Sequence, residues 1–395
     1  MRKAVCAIIP FFVVLICLYF LNSFLDRNIN IMLEKKGLNW ASKEYESVYK
    51  DQGVRFNNYF ADEDYVLLQA TSELKVPITA NPRSFFPIKG MNNVETVGVQ
   101  GWQCITHAEI LGSEVTNNKN RKVALIVSPQ WFYYKQGVPA GNFQSSFAPV
   151  QFYSFLDNPD ITEEHKKEYT LRMSELLTGS VQYFPEKLYA KLYDKDDIIS
   201  NTISLVFKPY FFVRKNVVML KDKGMLYKKL KLLSDKDQET DNNFKSIDWS
   251  KEVISADEEA QKSITNNNYL VCDKFYDENK MELEKKKNYL SKYNILDSKE
   301  YDDYELYLDV CNDLGIKPYI ILSPTNGKWY DELGLNKNER DEFYKKARKI
   351  AEDRGFEVLD YADKEYTPYF MYDASHFGWE GWLDVDKKIY EHFKN

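Results

Sequence analysis

Four histidines occur in the 395 residues, and one of them, His376, follows Asp373 by three positions in Tyr372-Asp373-Ala374-Ser375-His376-Phe377-Gly378-Trp379-Glu380-Gly381-Trp382. An imidazole moves protons near neutral pH, and a neighbouring carboxylate holds its tautomer and stabilises its charged form. The pair is a candidate general base with its orienting acid. It is equally what a structural carboxylate–imidazole contact across a loop looks like. A nucleophile and donors for a developing oxyanion decide between the two. Ser72, in Ala70-Thr71-Ser72-Glu73-Leu74, closes a short apolar stretch and is a candidate nucleophile, although a hydroxyl there also suits a helix cap. Gly98 and Gly101 precede an apparent helix start at Gly101–Ala108, where a close backbone approach and free N–H groups favour negative charge. His107, inside that helix, reads as packed.

These residues are useful together only if strand ends bring them together. Tyr65–Gln69, Val94–Val99, Val123–Val127, Tyr319–Leu322 and Phe356–Asp360 read as five short strands separated by helical patterns. The nearly continuous apolar character of Val123–Val127, matched at Tyr319–Leu322, implies burial on both faces of a parallel sheet. In such an α/β fold ligands meet the carboxyl ends of the strands. Ser72 would then come from the first strand, Gly101 from the loop after the second, Gln130 from just beyond the third, and Asp373 with His376 from the last loop. Acyl transfer needs these parts: a nucleophile, a base, its acid and oxyanion donors. Asn81-Pro82-Arg83-Ser84-Phe85-Phe86-Pro87 is a rigid loop that either offers Arg83 to an anion or simply crosses the surface. Val127 and Leu322 each run into Ser-Pro, turn chemistry at both strand ends.

A long block of different character interrupts the α/β rhythm at about 150–298. It is predominantly helical and suited to covering a cleft or facing a membrane. Its Lys221–Lys231 segment carries five lysines, fitted to anionic lipid or polymer and also to a solvated helix face. At the other end of the chain, Arg2 and Lys3 precede an apolar run from Ala4 to Leu25 of bilayer-spanning length, with no small-x-small cleavage site after it. The expected organisation is an uncleaved transmembrane anchor at 1–27, a connector at 28–62 and an extracytoplasmic domain at 63–395. A net charge of −7 without a basic domain argues against nucleic acid. Cys104, Cys272 and Cys311 show neither metal spacing nor a disulfide framework, and read as small buried hydrophobes. No cofactor or metal is expected.

The order of blocks resembles the SGNH (GDSL-type) hydrolases and, more fully, the DltD family of teichoic acid D-alanylation. The resemblance covers the N-terminal anchor, Ala70–Leu74, Asn81–Phe86, Ser128-Pro129-Gln130-Trp131-Phe132, Pro324-Thr325-Asn326-Gly327-Lys328-Trp329-Tyr330-Asp331 and Asp373–Trp382. It implies an SGNH-like three-layer α/β fold with a mostly parallel sheet of about five strands. It also implies Ser72 as nucleophile, His376 as base, Asp373 as orienting acid, and Gly101 (alternatively Gly98) with Gln130 as the oxyanion hole. Arg83, Trp131, Asn326 and Lys328 are the expected substrate contacts. Two departures stand out: Ala70-Thr71 replaces a glycine-led start, and Gln130 replaces the asparagine of ordinary SGNH enzymes. The implied activity is serine acyl transfer or ester hydrolysis at the outer membrane face, between a D-alanyl donor and a lipoteichoic acid acceptor. Other membrane proteins of the pathway and the D-alanyl carrier protein are the implied partners. A non-catalytic carrier-binding subunit and a polysaccharide O-acetyl esterase are the alternatives.

Overall fold

In the computed structural model, residues 2–394 are described apart from 37, 92, 93, 194, 196 and 234–243, with the backbone alone for 2–12, 14, 15, 39 and 42. Five strands, β1 (Val66–Gln69), β2 (Val94–Val97), β3 (Lys122–Val127), β4 (Tyr319–Leu322) and β5 (Val358–Asp360), pair in parallel in the order β2-β1-β3-β4-β5. Leu68 stands between Thr96 and Ala124, and Leu322 between Val127 and Asp360. Each strand expected from sequence is present. The second ends two residues early because Gly98 leaves extended geometry at φ 152°. The sheet order reverses direction between β1 and β3, the place where open α/β sheets bind ligands at the carboxyl ends of their strands.

The helices on which the site and the outer surface depend are α1 (Arg2–Lys36), α2 (Cys104–Ser113), α3 (Pro149–Asp157), α4 (Phe184–Tyr193), α5 (Ile198–Leu232), α6 (Glu300–Asp313) and α7 (Trp379–Phe393). Alternation along the strands sends Leu67, Val123, Leu125 and Leu322 into one apolar cluster with α2 and α6. Val66, Leu68, Ala124 and Ile321 enter a second cluster with α7. Strands buried on both faces explain the continuous apolar runs, each fully buried Leu or Ile contributing about 1.5–3 kcal/mol relative to exposure. Cys104, Cys272 and Cys311 are buried free thiols, as the sequence suggested.

Between β3 and β4 the chain is helical, with part of its polar stretch, 234–243, outside the described residues. α1 runs unbroken through position 27, burying Leu25, Ile29 and Leu33 in the first cluster. The expected span at 1–27 falls largely on positions whose side chains lie outside the description. Among the described residues no helix is long and apolar enough to cross a membrane.

Candidate active site

The chain leaves β1 through a tight turn that a buried carboxylate holds in shape. Glu73, with no exposed surface, accepts from the Thr71 N–H at 3.0 Å, the Thr71 hydroxyl at 2.8 Å and the Ser128 hydroxyl at 2.6 Å. A buried carboxylate is tolerated when it is fully hydrogen-bonded, and here the bonds also lock β1's end to β3's. The Ser72 side chain caps nothing. Its Oγ lies 2.9 Å from His376 Nε2 instead.

The sequence lacks a glycine in this turn, and the facing loop supplies one. A Cβ on Gly98 would stand 1.8 Å from the Ala70 carbonyl oxygen and 2.6 Å from its carbon. Only a residue without a side chain permits that approach. Gly98→Ala is therefore expected to lower stability by about 1–3 kcal/mol. By displacing the Ser72 turn it should also slow labelling of Ser72 by a serine-reactive phosphonate by about 10²-fold. Denaturant midpoints and labelling rates check the two effects separately.

His376 is carried by a loop that turns back on itself. The Tyr372 N–H donates to the His376 carbonyl at 2.8 Å, and the Gly378 N–H to the Phe370 carbonyl at 2.7 Å. Gly378 is needed because a Cβ there would meet the Tyr369 carbonyl oxygen at 2.5 Å. Asp373 Oδ1 accepts from the N–H groups of Ser375 (2.9 Å) and His376 (3.0 Å), which leaves Oδ2 to bind His376 Nδ1 at 2.7 Å. Burial works against the Asp373 charge, but His376 and the two N–H groups outweigh it and hold its carboxyl below the usual value. Burial likewise pulls the His376 ring down, and the charges of Asp373 and, secondarily, Glu73 overcome this and push it up to about 9.

The Pro324–Asp331 segment frames this loop. The Asn326 N–H donates to the Ala374 carbonyl at 2.8 Å, and the Tyr330 hydroxyl meets the Ser375 hydroxyl at 2.9 Å. The segment is itself fixed by a fully buried ion pair, Arg340 Nε to Glu365 Oε1 at 2.9 Å, which also binds Thr325 and Asp331.

Ser72, His376 and Asp373 thus form one hydrogen-bonded relay assembled from opposite ends of the chain. The two expected glycines differ. The Gly98 N–H donates to Asp51 Oδ1 at 3.3 Å, whereas neither the Gly101 N–H nor the Gln130 side-chain amide is engaged among the described residues. Gln130 is half-buried, two residues beyond the Ser128 that binds Glu73. The N-terminus of α2 does not stand open to a ligand as its sequence suggested, because the Cys104 N–H is held by buried Glu300 at 2.8 Å. His107 is a packed, neutral ring between Trp102 and Trp131, its pKa lowered by burial to about 3.

None of the four expected substrate contacts is hydrogen-bonded to a side chain of the relay. Arg83 donates to the carbonyls of Leu74 (3.1 Å) and Lys43 (2.6 Å), bracing the segment after Ser72. Trp131 is 3% exposed and packs inward. Asn326 and Lys328 donate to the carbonyls of Tyr269 and Asn268, both at 2.8 Å. Sequence reasoning missed Glu73, Ser128 and Asp51 as site-shaping groups. The signal available for the first two was a buried-type position held by a carboxylate one residue after the nucleophile, facing a Ser-Pro strand end.

The model of the family described as DltD protein matches residues 42–394. The chain is 29% identical to Protein DltD of Bacillus subtilis (strain 168) over 84% of its length and 83% of the relative's. It is 27% identical to Protein DltD of Staphylococcus aureus (strain NCTC 8325 / PS 47), over 75% and 73% of the two chains. To Protein DltD of Lacticaseibacillus rhamnosus it is 24% identical, over 88% and 82%. The chain belongs to the DltD family.

Proposed function

We propose that this DltD-family chain is a membrane-anchored serine acyltransferase or esterase of SGNH type, which transfers or hydrolyses D-alanyl groups during D-alanine esterification of lipoteichoic acid. The observation that carries the reading is the relay from Ser72 through His376 to Asp373, with steps of 2.9 and 2.7 Å, at the carboxyl ends of a parallel sheet. In the neutral ring Nδ1–H donates to Asp373, leaving Nε2 to accept the Ser72 proton. Ser72 Oγ then forms a bond to the acyl carbon, and the carbonyl electrons move to its oxygen. Gly101 N–H and the Gln130 amide are the donors offered to that oxyanion. Collapse expels the leaving group, which takes the proton from His376. A polymer hydroxyl, or water in hydrolysis, repeats the sequence in reverse and frees Ser72.

Membrane anchoring through the apolar run Ala4–Leu25, with the α/β domain on the outer side, is part of the same proposal. With a net charge of −7, a polyanionic acceptor is held by local groups rather than by the overall field. A non-catalytic binding subunit has no need of an oriented, hydrogen-bonded serine. Labelling the intact protein with a serine-reactive phosphonate and mapping the adduct tests the reading. Modification of Ser72 is expected; an adduct elsewhere, or none, would overturn it.

A further inference from the structure

Two long helices, α1 and α5, leave the body of the protein side by side and in the same direction. Lys223 Nζ reaches Asp26 Oδ2 at 2.8 Å and Asn22 Oδ1 at 2.7 Å, and Lys36 Nζ reaches the Leu233 carbonyl at 2.5 Å. The Phe24 and Tyr227 rings meet edge to face at 5.8 Å. Partner numbers rise together, so the helices are parallel and the apolar half of α1 lies beside the first half of α5.

That first half of α5 is apolar where a solvated helix would be polar. Ile198 is 85% exposed, Leu205 72%, Val206 69% and Phe212 61%. On the neighbouring stretch of α1, Ile16 and Phe20 are exposed by 54% and 65%. Together these make one continuous apolar surface of the kind that soluble surfaces avoid.

The charges follow the same boundary on both helices. No Asp or Glu occurs in 2–25 or in 198–221, whereas Lys208 and Lys221 fall in the second stretch and its other two bases, Arg214 and Lys215, pair with acids of the domain. Asp197 caps the start of α5 and accepts from the Ser200 N–H, and the first acids beyond the other end are Asp26, paired with Lys223, and Asp222, buried and accepting from the N–H groups of Val54 and Arg55. Apolar side chains with bases and no acids, ending at one level on two parallel helices, suit a pair of helices that enter an anionic bilayer together.

We propose that the Ile198–Val217 part of α5 is a second membrane contact, entering the headgroup region and outer leaflet of an anionic phospholipid bilayer alongside the parallel α1. The proposal rests on the anchoring part of the functional reading. α5 is held to the domain on its other side, by Arg214 to Glu186 of α4 at 2.9 Å, by Phe211 against Tyr189 and by Lys215 with Asp157 of α3. A single anchoring helix leaves a domain free to rotate about it. A second contact fixed to the domain removes that freedom and sets which way Ser72 and His376 face.

The test uses the full chain in vesicles of phosphatidylglycerol and phosphatidylcholine, with Cys6 and Cys17 replaced by alanine. An environment-sensitive fluorophore is placed on Val206→Cys, on Phe212→Cys as a second position on α5, on Ile16→Cys in α1 and, as a water-facing control, on Ile254→Cys. Both α5 probes are expected to shift to the blue and to lose intensity roughly twofold to lipid-borne nitroxide, with little loss to aqueous iodide. Iodide-accessible α5 probes overturn the proposal. In that event a lipid-quenched Ile16 probe leaves the anchor standing, and a water-exposed one removes the anchor as well. Alpha5 probes shielded from both quenchers indicate protein cover, by a second copy or a membrane partner, and overturn it too.

Discussion

Ser72→Ala is expected to lower turnover of a small acyl ester by about 10⁴-fold or more and to reduce the D-alanyl content of the cell's lipoteichoic acid, while the protein stays folded. The size follows from the division of labour in the relay. In the proposed mechanism the loss of the hydroxyl removes the covalent intermediate and leaves binding plus the oxyanion donors. The neighbouring Thr71 hydroxyl cannot take over, because it donates to Glu73 at 2.8 Å and is buried beneath the turn. The fold is expected to be unaffected because, among the described residues, the Ser72 hydroxyl makes only the bond to His376 and a 3.4 Å contact with Thr71 Oγ1. A half-buried side chain with no packing role changes stability by no more than about 0.5 kcal/mol. Ester turnover by initial rate, polymer D-alanine by hydrolysis and amino-acid analysis, and thermal unfolding are the three measurements. Unchanged turnover with unchanged D-alanyl content would remove Ser72 from the mechanism.

How much of this was legible in the sequence depended on whether the signal was local. The strands were legible because β3, Lys122–Val127, must be apolar on both faces when helices cover both sides of a parallel sheet. Asp373 and His376 were legible because three residues separate them and one turn closes the contact. Their link to Ser72 joins positions 304 apart, and no periodicity reports such a contact; only the order of blocks suggested it. The supports were hidden for the same reason. Glu73 reads as an ordinary charged residue, and its burial follows from Ser128, far along the chain, arriving to donate to it. Gly98 replaces the missing glycine of the Ala70-Thr71 turn across a strand pair rather than along the chain, so its purpose appears only when β2 lies beside β1. The substrate residues were the least legible. Arg83 and Lys328 look available in a sequence, but each finds a carbonyl of its own fold.

Asp373→Asn is expected to reduce turnover by about 10⁴-fold, close to the loss of the serine, through the replacement of one oxygen by nitrogen rather than a change of shape. The asparagine oxygen can still accept from the Ser375 and His376 N–H groups, so the loop keeps its path. Its amide nitrogen then faces His376 Nδ1, where a donor is the wrong partner. The ring is driven to the tautomer that carries its proton on Nε2, and the lone pair that should receive the Ser72 proton is gone. The pH dependence makes the same point independently. Against the pull of burial, the charges of Asp373 and Glu73 push His376 up to about 9, so the fraction of neutral base, and with it turnover, is expected to rise with pH through that value. Removing the Asp373 charge leaves burial, which lowers the ring's pKa, opposed only by Glu73. The ascending limb of the kcat/KM profile should therefore move to lower pH even as its plateau collapses. Stability responds with the opposite sense. A histidine raised in the folded state contributes stability that is complete below its unfolded value near ~6.5 and is lost as pH rises through the folded one. Wild-type unfolding midpoints should decline between those two pH values, and Asp373→Asn should flatten that decline. An unshifted limb in the variant would mean that the titrating group is not a histidine paired with Asp373.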